Sequence, residues 1–366
     1  MAFPHSLKLK SGYFTLPQYL PDATFGQVRA LDAADTEACG IQAVMMNTFH
    51  LMQKPGTSTV KSFGGLEQFS GWKNAIFTDS GGFQAWSLIR QNSRFGSLND
   101  NGIAFIPEGG KRKFLLTPEK CVQLQVSFGS DVIFCLDDCT HIDDPESEQR
   151  LSVSRTIKWA QRCRNEFDRL MDEKKLAERE RPKIFGIVQG GSSADLRREC
   201  AGALLDTGFN GYGYGGWPLD EGGDLVEDMV ALTRELIPEE FSLHALGIGH
   251  PPYIARCHAM GYGLFDSAMP TRDARHGRLY IFKDIPSTAS AAINDDWFGY
   301  VYAEDKRHIK SSAPAEEGCG CPLCQRYSLG YLRHLFKLND TLYHRLATMH
   351  NLWFMARLMA LLGKSV

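Results

Sequence analysis

The stretch TPEKCVQLQVSFGSDVIFCLDD, residues 117–138, contains the unit from which the fold is built. Its first half predicts a helix over Pro118–Phe128, because Thr117 precedes a proline at the first helical position. Its second half, Val132–Leu136, is a short apolar run that predicts a buried strand. Two aspartates follow at once. The stretch is therefore one helix-to-strand step of an α/β protein, with polar groups at the strand end.

The same alternation recurs along the chain. Six further apolar runs predict buried strands: Ile41–Met46, Ala75–Phe77, Ile184–Val188, Gly211–Tyr214, Leu243–Ile248 and Gly263–Phe265. Further helices are predicted over Glu146–Lys175, Ala194–Thr207, Leu225–Leu236 and Pro252–Met260. Such alternation implies a parallel sheet, and about eight units favour a closed (β/α)8 TIM barrel over an open doubly wound sheet.

A cysteine cluster near the end of the chain indicates a metal site. Cys319, Cys321 and Cys324, with His350 from a later segment, can fill all four positions of tetrahedral zinc. One such ion per chain would be structural, and would fasten a short hairpin at Glu316–Gln325 to the helix around the histidine. The competing histidines are His334 and His344. His350 is preferred because it lies in an apolar stretch, where an unpaired imidazole would need a partner.

Composition bounds the class of protein. The 366 residues are 43% hydrophobic and 23% charged, which is typical of a soluble globular protein. No apolar run of about 18 residues occurs, and the N-terminus lacks the apolar core of a secretion signal, so we expect a cytoplasmic protein without a membrane anchor. The seven remaining cysteines are scattered singly, which favours reduced thiols.

The expected organisation has two parts. We expect the barrel over residues 1–305, with a β excursion at about 91–114, and a zinc-binding helical subdomain over residues 306–366. The net charge of -3 does not indicate a nucleic-acid binder. Residues 306–366, however, contain nine Lys and Arg against three Asp and Glu, an excess that suits either phosphate contacts or an ordinary solvated face.

Polar residues and glycines follow the predicted strands, at the ends that open onto one face of an α/β protein. In chain order these are Asn47, Asp79, Asp137, Asp138, Gln189, Gly215, Gly216, Gly247–Gly249 and Asp266. Asp79 lies in FTDSGGFQ, where Gly81 and Gly82 would let a ligand approach the backbone and Phe83 offers a ring for stacking. A plain turn is the alternative for a lone DSGG.

The other strand ends suggest recognition of a heterocycle. One of Asp137 and Asp138 is expected to cap the next turn or helix, and the other to accept paired N–H donors. Gln189 carries both a donor and an acceptor and could read an adjacent carbonyl. The glycine pair at 215 and 216 would expose backbone N–H groups to the same space.

Asp266 is the third strand-end aspartate. Arg272 and Arg275 follow within ten residues and would favour its ionised form, as a nucleophile requires, although a structural salt bridge is the alternative. With Asp79 facing it, the pair suggests glycosidic-bond chemistry, in which one carboxylate attacks the anomeric carbon and the other manages a proton.

At this point the sequence resembles the tRNA-guanine transglycosylases, which exchange a guanine in tRNA for a 7-deazaguanine. The matching segments, in family order, are NTFHL (47–51), TDSGGFQ (78–84), LDDCT (136–140), VQGG (188–191), YGG (214–216), LGIG (246–249), FDSAMPTRDARHG (265–277) and the cysteine cluster. They cover nearly the whole chain. The resemblance implies an irregular (β/α)8 barrel with a zinc-binding insertion, and exchange at the wobble position of GUN anticodons in queuosine biosynthesis.

The resemblance also implies roles for single residues. Asp266 would be the nucleophile that holds the RNA covalently, and Asp79 the general acid/base. The residues implied to bind the base are Phe83, Asp137, Gln189, Gly216, Leu219 and Leu246. Arg272 and Arg275 would contact the RNA near a nucleotide turned out of its stack. Family members often form homodimers near the zinc subdomain, and the apolar segment Leu352–Leu362 suits either a dimer contact or core.

Three departures from the family bear on the incoming base. The loop after the paired glycines usually reads like LAVGE but here begins with Trp217, Pro218 and Leu219, which would reshape the pocket where the 7-substituent projects. Leu246 stands where methionine is common, and Cys139 matches the bacterial type that uses the aminomethyl precursor. We favour that aminomethyl base, with the nitrile precursor and queuine as alternatives.

Other readings compete with this one. A paralogue could insert a deazaguanine into DNA or at another tRNA position. A catalytically silent RNA-binding subunit of a heterodimer is disfavoured because Asp79 and Asp266 are both present. A barrel hydrolase of another glycoside would not need Gln189, the paired glycines and the arginine-rich segment together.

Overall fold

A computed structural model gives the fold and describes residues 4–107, 113–285, 288, 292 and 296–365. The strands are β1 Ser6–Leu9, β2 Gly12–Thr15, β3 Gln18–Pro21, β4 Ala43–Met46, β5 Ala75–Thr78, β6 Gly96–Asn99, β7 Gly102–Phe105, β8 Phe114–Leu116, β9 Val132–Phe134, β10 Lys183–Val188, β11 Gly211–Tyr214, β12 Ser242–Ala245, β13 Leu264–Ser267, β14 Arg278–Phe282 and β15 Phe298–Tyr302.

Helices surround these strands. They are α1 Ala33–Ala38, α2 Thr48–Leu51, α3 Thr57–Ser62, α4 Leu66–Ser70, α5 Gly82–Gln91, α6 Pro118–Phe128, α7 Glu146–Lys174, α8 Ala194–Thr207, α9 Glu227–Leu236, α10 Pro251–Met260, α11 Met269–Arg275, α12 Pro322–Arg326, α13 Leu329–Lys337 and α14 Thr341–Leu362. Short 3-10 helices lie at Glu178–Glu180, Lys306–His308 and Gly363–Ser365, and a π-helical turn lies at Met52–Gly56.

Eight parallel strands form a barrel in chain order: β3, β4, β5, β9, β10, β11, β12 and β13. The ring is closed where β3 runs past β4, because Asp22 bridges Met45 in parallel and the Ala23 N–H donates to the Met45 carbonyl at 2.7 Å. The expected (β/α)8 barrel is therefore confirmed. Sequence patterns found seven of the eight strands and missed β3, because its sequence QYLP begins with a glutamine and ends with a proline and so does not form an apolar run.

The barrel interior explains where the polar residues point. Successive strand residues face opposite sides, so every second residue points inward. Inward-facing apolar residues of the strands form one core with the hairpin β1–β2, which closes the N-terminal end of the barrel; the strand members include Leu20, Phe77, Ile187 and Leu264. Two residues beyond these four come Asp22, Asp79, Gln189 and Asp266. The same pleat therefore aims these four polar side chains into the opposite, C-terminal mouth.

The outer layer contains two additions to the barrel. Strands β6–β8 form a three-stranded antiparallel sheet within and just beyond the polar segment expected as a β excursion, of which residues 108–112 lie outside the described residues. The long helix α14 belongs to two cores. Leu346 in its first half packs with the cysteine cluster, whereas Met355, Leu358 and Leu362 pack into the main core around the barrel.

The segment before α14 differs from expectation in one respect. The cysteine-containing stretch is not a hairpin, because Cys321 caps the short helix α12 by accepting from the Cys324 N–H. Only one residue separates Cys319 from Cys321, and Pro322 follows. This spacing favours a turn that leads into a helix over a pair of strands. Across the described ranges, no helix has both the length and the apolar character to span a membrane.

Candidate active site

Asp79 lies directly after β5 and accepts four hydrogen bonds. The backbone N–H groups of Thr48 and Gly81 donate to Oδ1 at 3.0 and 3.1 Å. The side-chain amides of Asn47 and Gln84 donate to Oδ2 at 2.6 and 3.3 Å. Part of the carboxylate still faces the mouth, so the side chain is held firmly while remaining open to a ligand.

Two opposing effects set the proton affinity of Asp79. Removal from water raises its pKa, the Thr48 N–H lowers it, and the nearby carboxylates of Asp266 and Asp22 raise it again, to about 7. A carboxyl group with this pKa exchanges its proton at neutral pH, which suits a general acid/base. The influence of Asp266 also shows that the two carboxylates share one mouth.

Asp266 has different surroundings. It lies within β13, and its Oδ1 contacts His244 Nε2 at 2.9 Å and the Gly247 N–H at 3.1 Å. Because a carboxylate only accepts, His244 Nε2 must carry the hydrogen. About a fifth of the Asp266 side chain is exposed (19%), whereas His244 is fully buried in the barrel. Both contacts involve Oδ1, so Oδ2 of Asp266 remains open to a ligand.

His244 and Asp22 are the members of the mouth that sequence reasoning missed. His244 sits in the middle of β12, where a pattern gives no sign that it points inward. Asp22 follows β3, the strand that the patterns did not reveal. Burial raises the pKa of Asp22, a hydrogen bond from the Thr24 hydroxyl opposes this, and ionised Asp266 raises it further. The mouth thus holds three interacting carboxylates rather than two.

Asp137 and Gln189 form a buried polar pair across β9 and β10. Gln189 Nε2 donates to Asp137 Oδ2 at 2.7 Å, and the Gln189 side chain is fully buried. Burial raises the pKa of Asp137 to about 6, although the hydrogen bond from Gln189 lowers it. Gln189 Oε1 is buried and has no hydrogen-bond partner among the described residues. An unsatisfied acceptor beside a carboxylate is the pattern expected where a ligand supplies N–H donors.

The glycine after β11 lies against this pair. Gly216 has φ +89°, and an added Cβ would lie 3.4 Å from Gln189 Oε1. The left-handed backbone is what favours glycine here, since a Cβ at this distance would be in ordinary contact. A hydrogen bond from the Gly216 backbone reaches the buried Cys139 thiol, where it offsets part of the rise in pKa that burial causes. Cys139 therefore stands immediately behind the expected base-binding wall.

Aromatic rings line the outer edge of the mouth. Phe83 on α5 is 41% exposed, and its ring lies nearly parallel to that of Trp217, with centroids 6.3 Å apart. Trp217 is stacked in turn on His141 at 6.2 Å. Leu246 packs against the inward-facing core, and Leu219 packs against the outer core. The rings of Phe83, Trp217 and His141 thus form a continuous stack with flat faces.

Two sequence interpretations change with the structure. Asp138 does not cap a helix: its carboxylate pairs with Arg155 of α7, which separates its structural role from that of Asp137. Gly81 and Gly82 leave room for the chain itself rather than for a ligand. A Cβ at Gly81 would lie 2.9 Å from the Phe49 nitrogen, and one at Gly82 would lie 3.0 Å from Leu136.

Three arginines lie beside the carboxylates. Arg272 is exposed, and Arg275 is partly buried with an Nη1 that has no hydrogen-bond partner among the described residues. Burial lowers the pKa of Arg275, neighbouring Arg29 and Arg272 lower it further, and Asp22 opposes them. Arg29 was not identified from the sequence. A cluster of cations with an unsatisfied donor suits contact with phosphate oxygens.

The cysteine cluster has the arrangement of a metal site. The ligand atoms of Cys319, Cys321, Cys324 and His350 lie within 4.8 Å of one another. His350 Nδ1 faces the three sulfurs at 4.0, 3.3 and 3.5 Å. Its Nε2 lies 2.8 Å from the Tyr280 carbonyl, which fixes the tautomer that leaves Nδ1 free to bind a metal. The two competing histidines lie outside the cluster, and none of the ten cysteines forms a disulfide.

A (β/α)8 barrel with two carboxylates at its mouth, each held by its own set of donors, defines a class, the enzymes of glycosyl transfer. Comparison with known proteins identifies the family within this class. A family model described as queuine tRNA-ribosyltransferase matches residues 5–366. The chain therefore belongs to the queuine tRNA-ribosyltransferase family and is a pentosyltransferase.

Individual relatives agree over nearly their full length. The queuine tRNA-ribosyltransferase of Novosphingobium aromaticivorans is 33% identical over 355 residues, which are 97% of this chain and 88% of the relative. That of Aliivibrio salmonicida is 34% identical over 361 residues, covering 98% of this chain and 89% of the relative. That of Thermoanaerobacter sp. is 34% identical over 360 residues, with 98% and 88% covered.

Proposed function

We propose that this protein exchanges guanine for a 7-deazaguanine at the wobble position of tRNAs with GUN anticodons, in queuosine biosynthesis. The observation that carries the proposal is the contrast between Asp79 and Asp266 at one mouth: Asp79 has a pKa of about 7, whereas Asp266 contacts His244 and the Gly247 N–H through one oxygen and keeps the other open. The relatives, which are queuine tRNA-ribosyltransferases, support the same chemistry.

The first displacement releases guanine. An oxygen of Asp266 attacks the anomeric carbon of the ribose, the bond from that carbon to the base breaks, and its electron pair passes to the base nitrogen. Asp79 in its acid form gives that nitrogen a proton. The product is a ribosyl ester of Asp266 that holds the intact RNA strand. Asp137 and Gln189 would bind the Watson–Crick edge of the purine, with Gly216 lying against them.

The second displacement installs the new base. Asp79, now a carboxylate, takes the proton from the ring nitrogen of the incoming 7-deazaguanine. That nitrogen attacks the anomeric carbon, and the ester bond to Asp266 breaks with return of its electron pair to the carboxylate. Two inversions give overall retention, and both half-reactions use the same proton site.

The incoming base is proposed to be the aminomethyl precursor. The loop that begins at Trp217 is fastened, because the Val226 N–H donates to the Pro218 carbonyl at 3.0 Å and the Asp224 N–H to Asp220 Oδ1 at 2.9 Å. A fixed wall favours a small 7-substituent over the large one of queuine. The acidic residues of the loop favour an ammonium over a nitrile. Exchange of labelled guanine in tRNA, chased with each candidate base, distinguishes the three.

The metal is proposed to be one structural zinc ion per chain. Zinc bound at about 2.3 Å to sulfur and about 2.1 Å to nitrogen in a tetrahedron places each sulfur about 3.6 Å from the nitrogen. The separations from His350 Nδ1 of 3.3, 3.5 and 4.0 Å bracket that value. Bound there, zinc would join α12 to α14. The proposed partners are tRNA and a second copy of the chain, in the cytoplasm.

Covalent trapping tests the proposed reaction. The wild-type protein, mixed with guanine-containing tRNA and denatured, is expected to migrate on a gel as a protein–RNA adduct. Asp266→Asn should yield no adduct while still binding tRNA. Asp273→Asn is the matched control, since Asp273 lies seven residues further on and contacts Tyr280 rather than the mouth. An adduct of undiminished amount with Asp266→Asn would exclude the assigned nucleophile.

A further inference from the structure

Gln84 is the last residue of the TDSGGFQ segment and takes no part in the two proposed displacements. Its side chain belongs to α5 and reaches Asp79, with Nε2 donating to Oδ2 at 3.3 Å. Its other polar atom, Oε1, is buried and has no hydrogen-bond partner among the described residues. A buried amide oxygen without a partner is unfavourable, and its position next to a proton-transferring group calls for an explanation.

The other three donors to Asp79 cannot change their role. Thr48 and Gly81 use backbone N–H groups, which never accept. Asn47 uses its amide nitrogen, and its amide oxygen is already engaged at the start of α2, where it accepts from the His50 N–H at 3.0 Å. Turning the Asn47 amide over would therefore lose the helix cap. Gln84 has no such constraint, since its amide can turn without losing a second contact.

A general acid/base has to be held in two states. As a carboxylate, Asp79 needs donors around both oxygens. As a carboxylic acid, it also needs an acceptor for its own O–H. Rotating the Gln84 amide by about 180° replaces Nε2 with Oε1 at the same place, so that one side chain meets both needs.

We propose that Gln84 is a positioning residue whose amide turns over with each proton transfer, donating to Asp79 when it is ionised and accepting from it when it is protonated. This rests on the proposed function, in which Asp79 is the acid/base. When the base nitrogen takes the proton of Asp79, the amide turns to offer N–H. When Asp79 takes the proton of the incoming base, the amide turns back.

The charged neighbours of Asp79 set the pH at which it changes state, and Gln84 does not. Those neighbours are Asp266 on β13 and Asp22 after β3. The Cys121 thiol on α6 is also near Asp79, but burial raises its pKa, so it is neutral; the Asn47 and Gln84 amides that contact Asp79 are neutral as well. His50 on α2 acts on Asp22 instead. Because Gln84 supports both states alike, its removal should slow both half-reactions without moving their pH midpoint.

The test compares two amides that contact the same oxygen. Gln84→Met and Gln84→Leu remove both the donor and the acceptor. Asn47→Ser removes a donor only and keeps a side-chain oxygen for the helix cap. Two single-turnover rates are measured with full-length protein and tRNA from about pH 5 to 9. The first is the rate of adduct formation, and the second is the rate at which an added 7-deazaguanine discharges the adduct. Asp79→Asn serves as the reference.

The expected pattern is specific. Both Gln84 variants should lose about tenfold in each half-reaction with the wild-type midpoint, and Asn47→Ser should raise the midpoint because the ionised form alone loses support. A midpoint that rises in Gln84→Met as in Asn47→Ser, unchanged rates, or loss of one half-reaction alone would overturn the proposal. If Asp79→Asn keeps both half-reactions, the proposed function fails instead.

If the variants do not fold, a measurement on the wild-type protein still tests the proposal. With 15N-labelled glutamine, the Gln84 side-chain amide signal should shift with the same pH midpoint as the kinetics. A signal that stays constant across that midpoint would contradict the turnover of the amide.

Discussion

Asp79 and Asp266 show how one residue type is prepared for two tasks by its surroundings. Asp79 is enclosed, accepts four hydrogen bonds and has two carboxylates nearby, which together give a pKa of about 7. Asp266 keeps a free oxygen and receives N–H donors from His244 and Gly247. A group that gains and loses a proton at neutral pH and a carboxylate with an open oxygen are the two parts that the proposed retaining transfer requires.

The pH dependence of the two half-reactions should therefore be opposite. Adduct formation uses the acid form of Asp79, so its rate should fall as pH rises through about 7. Adduct discharge uses the carboxylate, so its rate should rise through the same midpoint. Asp22→Asn removes a like charge and should move both midpoints to lower pH. Single-turnover kinetics measure the shift, and Asp195→Asn, an exposed carboxylate on α8, should leave it unchanged. Midpoints that rise in Asp22→Asn would contradict the proposed coupling.

Asp137 should act on the base and not on the RNA. Asp137→Ala removes the acceptor beside Gln189 and should weaken binding of guanine about 10- to 100-fold, with tRNA affinity changed far less. Since the pKa of Asp137 is about 6 and only the carboxylate accepts two donors, wild-type affinity for the base should fall as pH drops below about 6. Calorimetry measures both effects. Asp143→Ala, an exposed loop carboxylate, is the control. Equal losses of base and RNA binding would rule out a purine-reading role.

At the scale of elements, the sequence revealed the buried strands and the long helices best. Helices α6 and α8 have the predicted bounds, because Thr117 and Ser193 cap them through side chains that the sequence shows directly. Strand β3 was missed because contacts with neighbouring strands, rather than an apolar pattern, define it. Asp22 was missed as well, because it follows β3. His244 was overlooked because the register of the strand decides whether its side chain points into the barrel.

Helix α14 joins the cysteine cluster to the barrel, and this was only partly visible in the sequence. The segment Leu352–Leu362, which suited either a dimer contact or core, is core, since Leu352, Phe354, Leu358 and Leu362 are fully buried. An apolar run has no marker that separates a buried helix from an exposed one until its neighbours are placed.

Removing one cysteine ligand should loosen this helix. Cys321→Ala is expected to lower the metal content below one ion per chain and the melting temperature by about 5–10 °C, because binding energy of the metal is folding energy. Mass spectrometry under native conditions and calorimetry check the two quantities. Cys257→Ala, a buried thiol on α10 outside the cluster, should keep a full metal content. An unchanged metal stoichiometry in Cys321→Ala would remove the four-ligand site.

For the whole molecule, fewer cations are available to bind RNA than the count of nine basic residues in residues 306–366 implied. Arg307, Lys337, Arg345 and Arg357 pair with acidic side chains, so a large part of the excess is neutralised locally. Four exposed cations of residues 306–366 form no ion pair with any described residue: Lys306, Lys310, Arg326 and Lys364. They are the part of the basic surface left to meet phosphate.

Charge reversal at these positions should separate docking of the RNA from chemistry. Each cation that neutralises a phosphate adds about one unit to the slope of log affinity against log salt. Lys306→Glu with Lys310→Glu should therefore weaken tRNA binding and lower that slope by about two, while a short stem-loop that reaches only the barrel mouth reacts at the wild-type rate when saturating. Lys174→Glu with Lys175→Glu is the control, because the end of α7 lies at the opposite end of the barrel from the mouth. Filter binding between about 50 and 200 mM salt gives the slopes. If both double variants give the same slope as wild type, residues 306–366 do not dock the nucleic acid. A substrate that contacts the barrel alone, such as DNA into which a deazaguanine is inserted, then becomes the favoured alternative.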